Sequence, residues 1–150
     1  MSFEEKTTWV GAIVSALVAG AYSALVVGRL WRVPVSEIAY QRPLLLAVGA
    51  TIAMTIVGTI LVSIGTAVSA EITGNGSVDD IDRRDERDDH INRRGELVGY
   101  YVSSAGALGA LALAMLRYDQ FWIANALYLA FAVGGIVSSV AKLIAYRRGF

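Results

Sequence analysis

Half of the charged residues in this 150-residue chain stand in one stretch, DDIDRRDERDDHINRRGE, which runs from Asp79 to Glu96. Its eighteen positions hold thirteen of the twenty-six charged side chains. Several carboxylates on one surface could hold a hard divalent cation, whereas opposed acidic and basic faces could dock a charged partner. A third interpretation is a solvated helix, in which ion pairs four residues apart, such as Asp79 with Arg83, each stabilise the helix by about 0.2–0.5 kcal/mol.

A helical conformation would divide these charges between two faces, because successive residues rotate by about 100°. The candidate residues for partner docking or cation binding are Asp82, Asp85, Glu86, Asp89, His90, Arg83, Arg87 and Arg94. Such faces are self-complementary, so they suit a second copy or a cytoplasmic protein partner. With one histidine and no cysteine in the chain, we expect no transition-metal site.

Outside this stretch, reactive side chains are scarce. Asp, Glu, Arg and His are absent from the interiors of the long apolar stretches, although proton pumps and ion-coupled carriers usually need an ionisable group there. No nucleophile and base stand in a pattern typical of catalysis. We therefore predict a protein that is not an enzyme, with no catalytic residue and no cofactor. The net charge of zero argues against a nucleic acid partner.

The chain is too apolar for an ordinary soluble domain, because 55% of its residues are hydrophobic. Four apolar stretches reach the roughly 20 residues that a helix needs to span a bilayer, so we expect them to be membrane helices. We predict an all-α fold with one integral membrane domain over residues 1–150. It is a four-helix transmembrane bundle with a charged cytoplasmic helix at about 78–96, between the second and third spans. The spans are expected at about 9–30, 44–70, 97–117 and 121–144.

Local signals suggest where these helices begin and end. Thr7 or Thr8 could cap the first span, and Asp119 could cap the fourth after a tight external hairpin. Pro43 suits the start of the second span. Gly95 is a candidate bend where the charged helix enters the third span, because glycine weakens a helix.

Basic residues predict the orientation of the chain in the cell membrane. Nine lie on one side of the predicted spans, namely Lys6, Arg83, Arg84, Arg87, Arg93, Arg94, Lys142, Arg147 and Arg148. Four lie on the other, namely Arg29, Arg32, Arg42 and Arg117. The bias places both termini and the charged stretch in the cytoplasm.

Small residues recur every four positions in the spans, a spacing that lets helix backbones approach closely. The candidate packing residues are Ala16, Gly20, Ala24, Gly106, Ala110 and Gly134. They could pack within one bundle or between copies in a homo-oligomer. The second span also carries a hydroxyl row, Thr51, Thr55, Thr59 and Ser63. This row could line a pore in an oligomer, or its hydroxyls could bond to carbonyls of their own helix.

The stretches DERDDHINRRGELVGYYV and FWIANALYLAFAVGGIVSSVAKLIAYRRG resemble a group of small four-helix bacterial membrane proteins of unknown function. The resemblance implies the same topology and supplies no catalytic residues. The leading hypothesis is a non-enzymatic membrane protein that self-associates in the lipid bilayer and uses its charged helix to dock a partner or for regulation. The alternative is a small oligomeric channel or carrier with a path along the hydroxyl row.

Overall fold

A computed structural model describes residues 3–73 and 86–148, with the backbone alone at 69–73 and 86–87. Its helices are α1 (Phe3–Leu30), α2 (Gln41–Thr73), α3 (Glu86–Met115) and α4 (Gln120–Arg148). A 3₁₀ turn at Val35–Glu37 lies between α1 and α2. All four α-helices are long and apolar enough to cross a membrane. The predicted all-helical fold with four membrane helices is therefore confirmed.

The helices pack in the order α2, α1, α4, α3. The most extensive contact joins α3 to α4, and α1 packs on both α2 and α4. A hydrogen bond between Glu4 and Asn92 brings the start of α1 to the start of α3. We call this the charged end, and we call the opposite end, with residues 31–40 and 116–119, the connector end.

Missing side chains permit the close contact between α3 and α4. A Cβ atom added at Gly99 would lie 2.8 Å from the carbonyl oxygen of Gly134, and one added at Gly134 would lie 2.9 Å from that of Gly99. Farther along, a Cβ atom at Gly106 would lie 3.1 Å from the Cα atom of Ala130. The two backbones thus touch directly, which is how small residues join helices in lipid.

The connector end is closed by the chain between α1 and α2. Ile38 is only 5% exposed and joins a buried cluster with Tyr22, Val26, Ala47 and Phe121. The guanidinium of Arg29 donates a 2.9 Å hydrogen bond to the carbonyl of Ala39, which holds this connection against the end of α1. These contacts fix α1, α2 and α4 relative to one another at this end.

The predicted charged cytoplasmic helix between the second and third spans, at about 78–96, is not supported. Residues 86–96 form the first turns of α3, which continues without interruption into the apolar span, and residues 78–85 lie outside the described chain. Gly95 is not a break in α3, because the space left by its missing side chain is filled by Lys142: an added Cβ atom would lie 2.9 Å from the Lys142 Cε. Packing on α4 thus compensates for the low helix propensity of glycine.

The first helix starts earlier than the predicted cap. It begins at Phe3, so the hydroxyls of Thr7 and Thr8 lie inside it and both donate to the carbonyl of Glu4, at 3.0 and 2.7 Å. Glu4 and Glu5 stand in the first turn, where negative charge stabilises a helix start. Polar residues thus extend the helix beyond its apolar stretch.

The predicted tight hairpin between α3 and α4 is confirmed. Tyr118 donates to the carbonyl of Leu113 at 3.0 Å, and Arg117 donates to that of Ala114 at 3.1 Å. This pair of bonds forms a Schellman motif, whose left-handed residue is usually glycine. Here the residue is Arg117, with a φ of 59°, and a non-glycine side chain in this conformation costs about 1–2 kcal/mol.

Replacing Arg117 with glycine should therefore stabilise the protein. We expect Arg117→Gly to raise the free energy of unfolding in detergent by up to about 1 kcal/mol, because relief of strain outweighs the added freedom of the unfolded chain. Tyr118→Gly is the matched control, since it adds the same freedom without relieving a positive φ, and it should be neutral or destabilising. An equal or larger gain in the control would contradict this explanation.

Candidate functional site

The helices enclose one buried polar contact at the connector end. The Tyr22 hydroxyl of α1 donates a 2.7 Å hydrogen bond to Oδ1 of Asn125 on α4. The amide nitrogen of Asn125 donates in turn to the carbonyl of Phe121, also at 2.7 Å. Asn125 is 8% exposed and Tyr22 is 6% exposed. The pair cross-links α1 to α4 where lipid offers no alternative hydrogen-bond partner.

Aromatic rings surround this pair. Tyr128 packs edge-on against Tyr22 with ring centroids 4.8 Å apart, and Tyr40 packs edge-on against Phe121 at 5.4 Å. Such arrangements are the preferred geometry of aromatic pairs. Residues from α1, α2, α4 and the connection at 31–40 therefore converge on one buried centre.

An apolar groove of about 530 Å³ opens beside this centre, between α1, α2 and α4. Leu44, Val48 and Ile52 line it from α2, and Leu127 and Phe131 line it from α4. Its hydroxyl-bearing lining residues are Ser15, Thr51 and Tyr128. A groove with this lining suits a hydrocarbon chain or a helix rather than a hydrated ion.

The predicted pore-lining row lies along the half-buried side of α2. Thr51 donates to the carbonyl of Ala47 at 2.9 Å, and Ser63 donates to that of Thr59 at 3.0 Å. Two of the four hydroxyls thus bond to their own helix, the structural alternative to pore lining. Within the single chain, Thr51 borders the apolar groove, and Thr55 and Thr59 are half-buried.

A polar pocket of about 320 Å³ lies at the charged end between α1, α3 and α4. Glu4, Asn92 and Lys142 line it together with Thr7, Thr8, Gly11, Glu96 and Ser139. Lys142 forms a 3.4 Å ion pair with Glu96, and Asn92 donates to Glu4 across a similar distance of 3.4 Å. These bonds join α1 and α4 to the start of α3.

The charged stretch is described only from residue 86 onward, so Asp82, Arg83 and Asp85 lie outside the described residues. Glu86 and Arg87 belong to α3, and their side chains are not described. Asp89, His90 and Arg94 are exposed, whereas Asp88 is half-buried. Over the part of the chain that the structure describes, no three His, Cys, Asp or Glu residues are grouped so that they could hold a metal ion.

The candidate packing residues fall into two groups. Gly106, Ala110 and Gly134 lie on inward faces, with Ala110 1% exposed. Ala16, Gly20 and Ala24 are exposed on α1, on the side opposite its buried residues Val14, Ala19, Tyr22 and Val26.

Gly95 and Gly99 extend the close contact between α3 and α4 toward the charged end. This role was not predicted, although the two glycines stand four residues apart. Gly95 was predicted only as a bend where the charged helix enters the third span. The ion pair of Glu96 with Lys142 was also not predicted.

Removing the buried hydrogen bond should loosen α1 from α4. We expect Tyr22→Phe and Asn125→Leu each to destabilise the protein. Their coupling energy in a double-mutant cycle should be about 0.6 kcal/mol or more, since hydrogen bonds between membrane helices average about 0.6 kcal/mol and reach about 1.7 kcal/mol. Unfolding in detergent would be monitored by circular dichroism. Tyr128→Phe is the control, because the Tyr128 ring contacts Tyr22 while its hydroxyl is outside this bond. The prediction would be contradicted if the coupling energy between Tyr22 and Asn125 were no greater than that between Tyr128 and Asn125.

No protein-family model, curated protein or solved structure matches this chain. The resemblance to small four-helix bacterial membrane proteins therefore remains a prediction.

Proposed function

We propose that this chain is a non-enzymatic multi-pass protein of the cell membrane that assembles with copies of itself through the outward face of α1. One observation carries the proposal. The inward face of α1 packs on α2 and α4 and buries Val14, Ala19, Tyr22 and Val26, while Ala16, Gly20, Ala24 and Gly28 are exposed on the other side. Small residues on a lipid-facing side permit the approach of another helix.

Gly20 lies near the centre of this face. A Cβ atom added there would meet nothing within 4 Å, and the same is true at Gly28. The glycines are therefore not required by contacts inside one chain, unlike Gly106 and Gly134, which meet α4 and α3. A second copy of α1 would gain dispersion contacts with the exposed backbone that lipid tails pack against less closely.

The charged stretch forms the second part of the proposal. Exposed Asp89, His90 and Arg94 continue the block that begins at residue 79. We propose that this segment lies in the cytoplasm and docks a protein partner or a second copy through charge complementarity. Electrostatic matching of this kind favours specificity and the rate of encounter.

Gly20→Leu tests self-association without disturbing the fold. We expect the variant to keep the unfolding midpoint of the original, because the position is open. The dissociation constant of the dimer in detergent or lipid should rise by about tenfold or more, equivalent to about 1.4 kcal/mol. Analytical ultracentrifugation or single-molecule photobleaching in vesicles would measure it.

Two variants serve as controls for that experiment. Gly135→Leu places the same side chain at another open, exposed position and should leave association intact. Gly106→Leu would collide with Ala130 and should destabilise the fold itself. If Gly20→Leu associates as strongly as the original, or if Gly135→Leu weakens association equally, the outward face of α1 is not the contact.

Orientation is tested separately. Nine basic residues on one side against four on the other predict that both termini are cytoplasmic. A phosphatase fused after Phe150 should therefore be inactive in bacterial cells, whereas a fluorescent protein at the same position should be bright. As a control, a phosphatase inserted in the loop at 116–119 should be active. Labelling of the 79–96 stretch by an impermeant reagent from outside intact cells would reverse the assignment.

A further inference from the structure

Arginine and tyrosine side chains share the outward side of α3 near the charged end. Arg93 and Arg94 are exposed, and Tyr100 and Tyr101 are 66% and 63% exposed. The two tyrosine rings stand edge to face with centroids 5.9 Å apart. We call these four residues the arginine–tyrosine face.

Several acidic groups at this end are engaged by neighbouring residues, whereas Asp89 is exposed. Glu4 and Asp88 are half-buried, Glu4 accepts from Asn92, and Glu96 pairs with Lys142. In contrast, Arg93 and Arg94 are exposed, as are Arg147 and Arg148 in the last turn of α4. Within residues 3–73 and 86–148, none of these four guanidiniums forms an ion pair. These exposed arginines therefore offer positive charge at the charged end of the described chain.

The depth of these residues matches the layers of a bilayer surface. Arg93 precedes Tyr100 by seven residues, which corresponds to about 10 Å along a helix. Leu97, between them, is 53% exposed. Tyrosines favour the boundary between hydrocarbon and headgroups. With the tyrosines at that boundary, the guanidiniums would stand about 10 Å farther out, at the depth of the phosphates.

We infer that the arginine–tyrosine face binds the phosphate of an anionic phospholipid. A guanidinium offers two parallel donors to phosphate oxygens, and the tyrosine rings lie against the glycerol region and upper acyl chain. A soluble acidic protein fits less well, because it would have to displace lipid from Leu97 and the tyrosines. This inference goes beyond the proposed self-association through α1, because it assigns Arg94 and the rest of the arginine–tyrosine face to a lipid instead of to a docked protein.

Lipid binding can be measured on the full chain in a non-ionic detergent. Phosphatidylglycerol and phosphatidylcholine with identical chains would be titrated, and bound lipid counted by native mass spectrometry. We expect phosphatidylglycerol to bind more tightly. Each arginine near an anionic surface contributes about fivefold in affinity. The double variant Arg93→Gln/Arg94→Gln should therefore weaken phosphatidylglycerol binding by about 25-fold. Its affinity for phosphatidylglycerol should then be close to its affinity for phosphatidylcholine.

The matched control removes two arginines at the connector end. Arg32→Gln/Arg42→Gln changes the net charge equally, at two exposed positions, and should alter phosphatidylglycerol binding by less than about threefold, because the arginine–tyrosine face is intact. Tyr100→Ala/Tyr101→Ala should weaken binding of both lipids. Equal binding of the two lipids by the original protein, or an equal loss in the control pair, would overturn the inference.

A measurement on the original protein covers the case in which the glutamine variant does not fold. Raising the salt from about 0.05 to about 0.5 M should reduce the preference for phosphatidylglycerol, because exposed charges are screened over a few ångströms at high salt. A preference that does not change with salt would contradict phosphate recognition by the arginines. Binding of an acidic peptide that phosphatidylglycerol does not displace would instead assign this face to a protein partner.

Discussion

The direct contact between the backbones of α3 and α4 is the constraint on which the rest of the arrangement depends. Lipid tails are as apolar as leucine, so helices in a membrane gain nothing by hiding apolar side chains from one another. They must gain from close contact, and Gly99 opposite Gly134 brings two main chains together without intervening side chains. The short turn after Met115 makes this pair a local hairpin, on which the remaining helices are built.

The other two helices are joined by less extensive contacts than the one between α3 and α4. The first helix packs on α4 and is held there by the hydrogen bond from Tyr22 to Asn125. This bond can form only at one position of α1 along α4 and at one rotation of α1 about its axis. The second helix makes an extensive contact with α1 alone among the described helices. The molecule is therefore ordered from a tightly packed side at α3 and α4 to an open side at α2, and the apolar groove lies at that open side.

The spans could be predicted from the sequence because crossing a bilayer requires length and low charge, which composition reveals directly. The hairpin at Arg117 was predictable for similar reasons, since it is all that remains between two apolar stretches. Rotation about each helix axis was not predictable. Both α1 and α4 carry small residues every four positions, yet Gly134 faces a neighbour and Gly20 faces outward. The difference depends on which large residues find partners, and that is a property of the assembled chain.

The edge position of α2 has a consequence for how the protein responds to its surroundings. Its 33 residues correspond to about 50 Å of helix, well beyond the roughly 30 Å of hydrocarbon in a typical bilayer. A helix held on several sides would force the bilayer to thicken around it. Because α2 rests mainly on α1, it can instead lean within the membrane. Variation in bilayer thickness would then change the angle between α2 and α1 chiefly toward the charged end, because the buried contacts of Ile38, Ala47 and Phe121 hold α2 to α1 and α4 at the connector end.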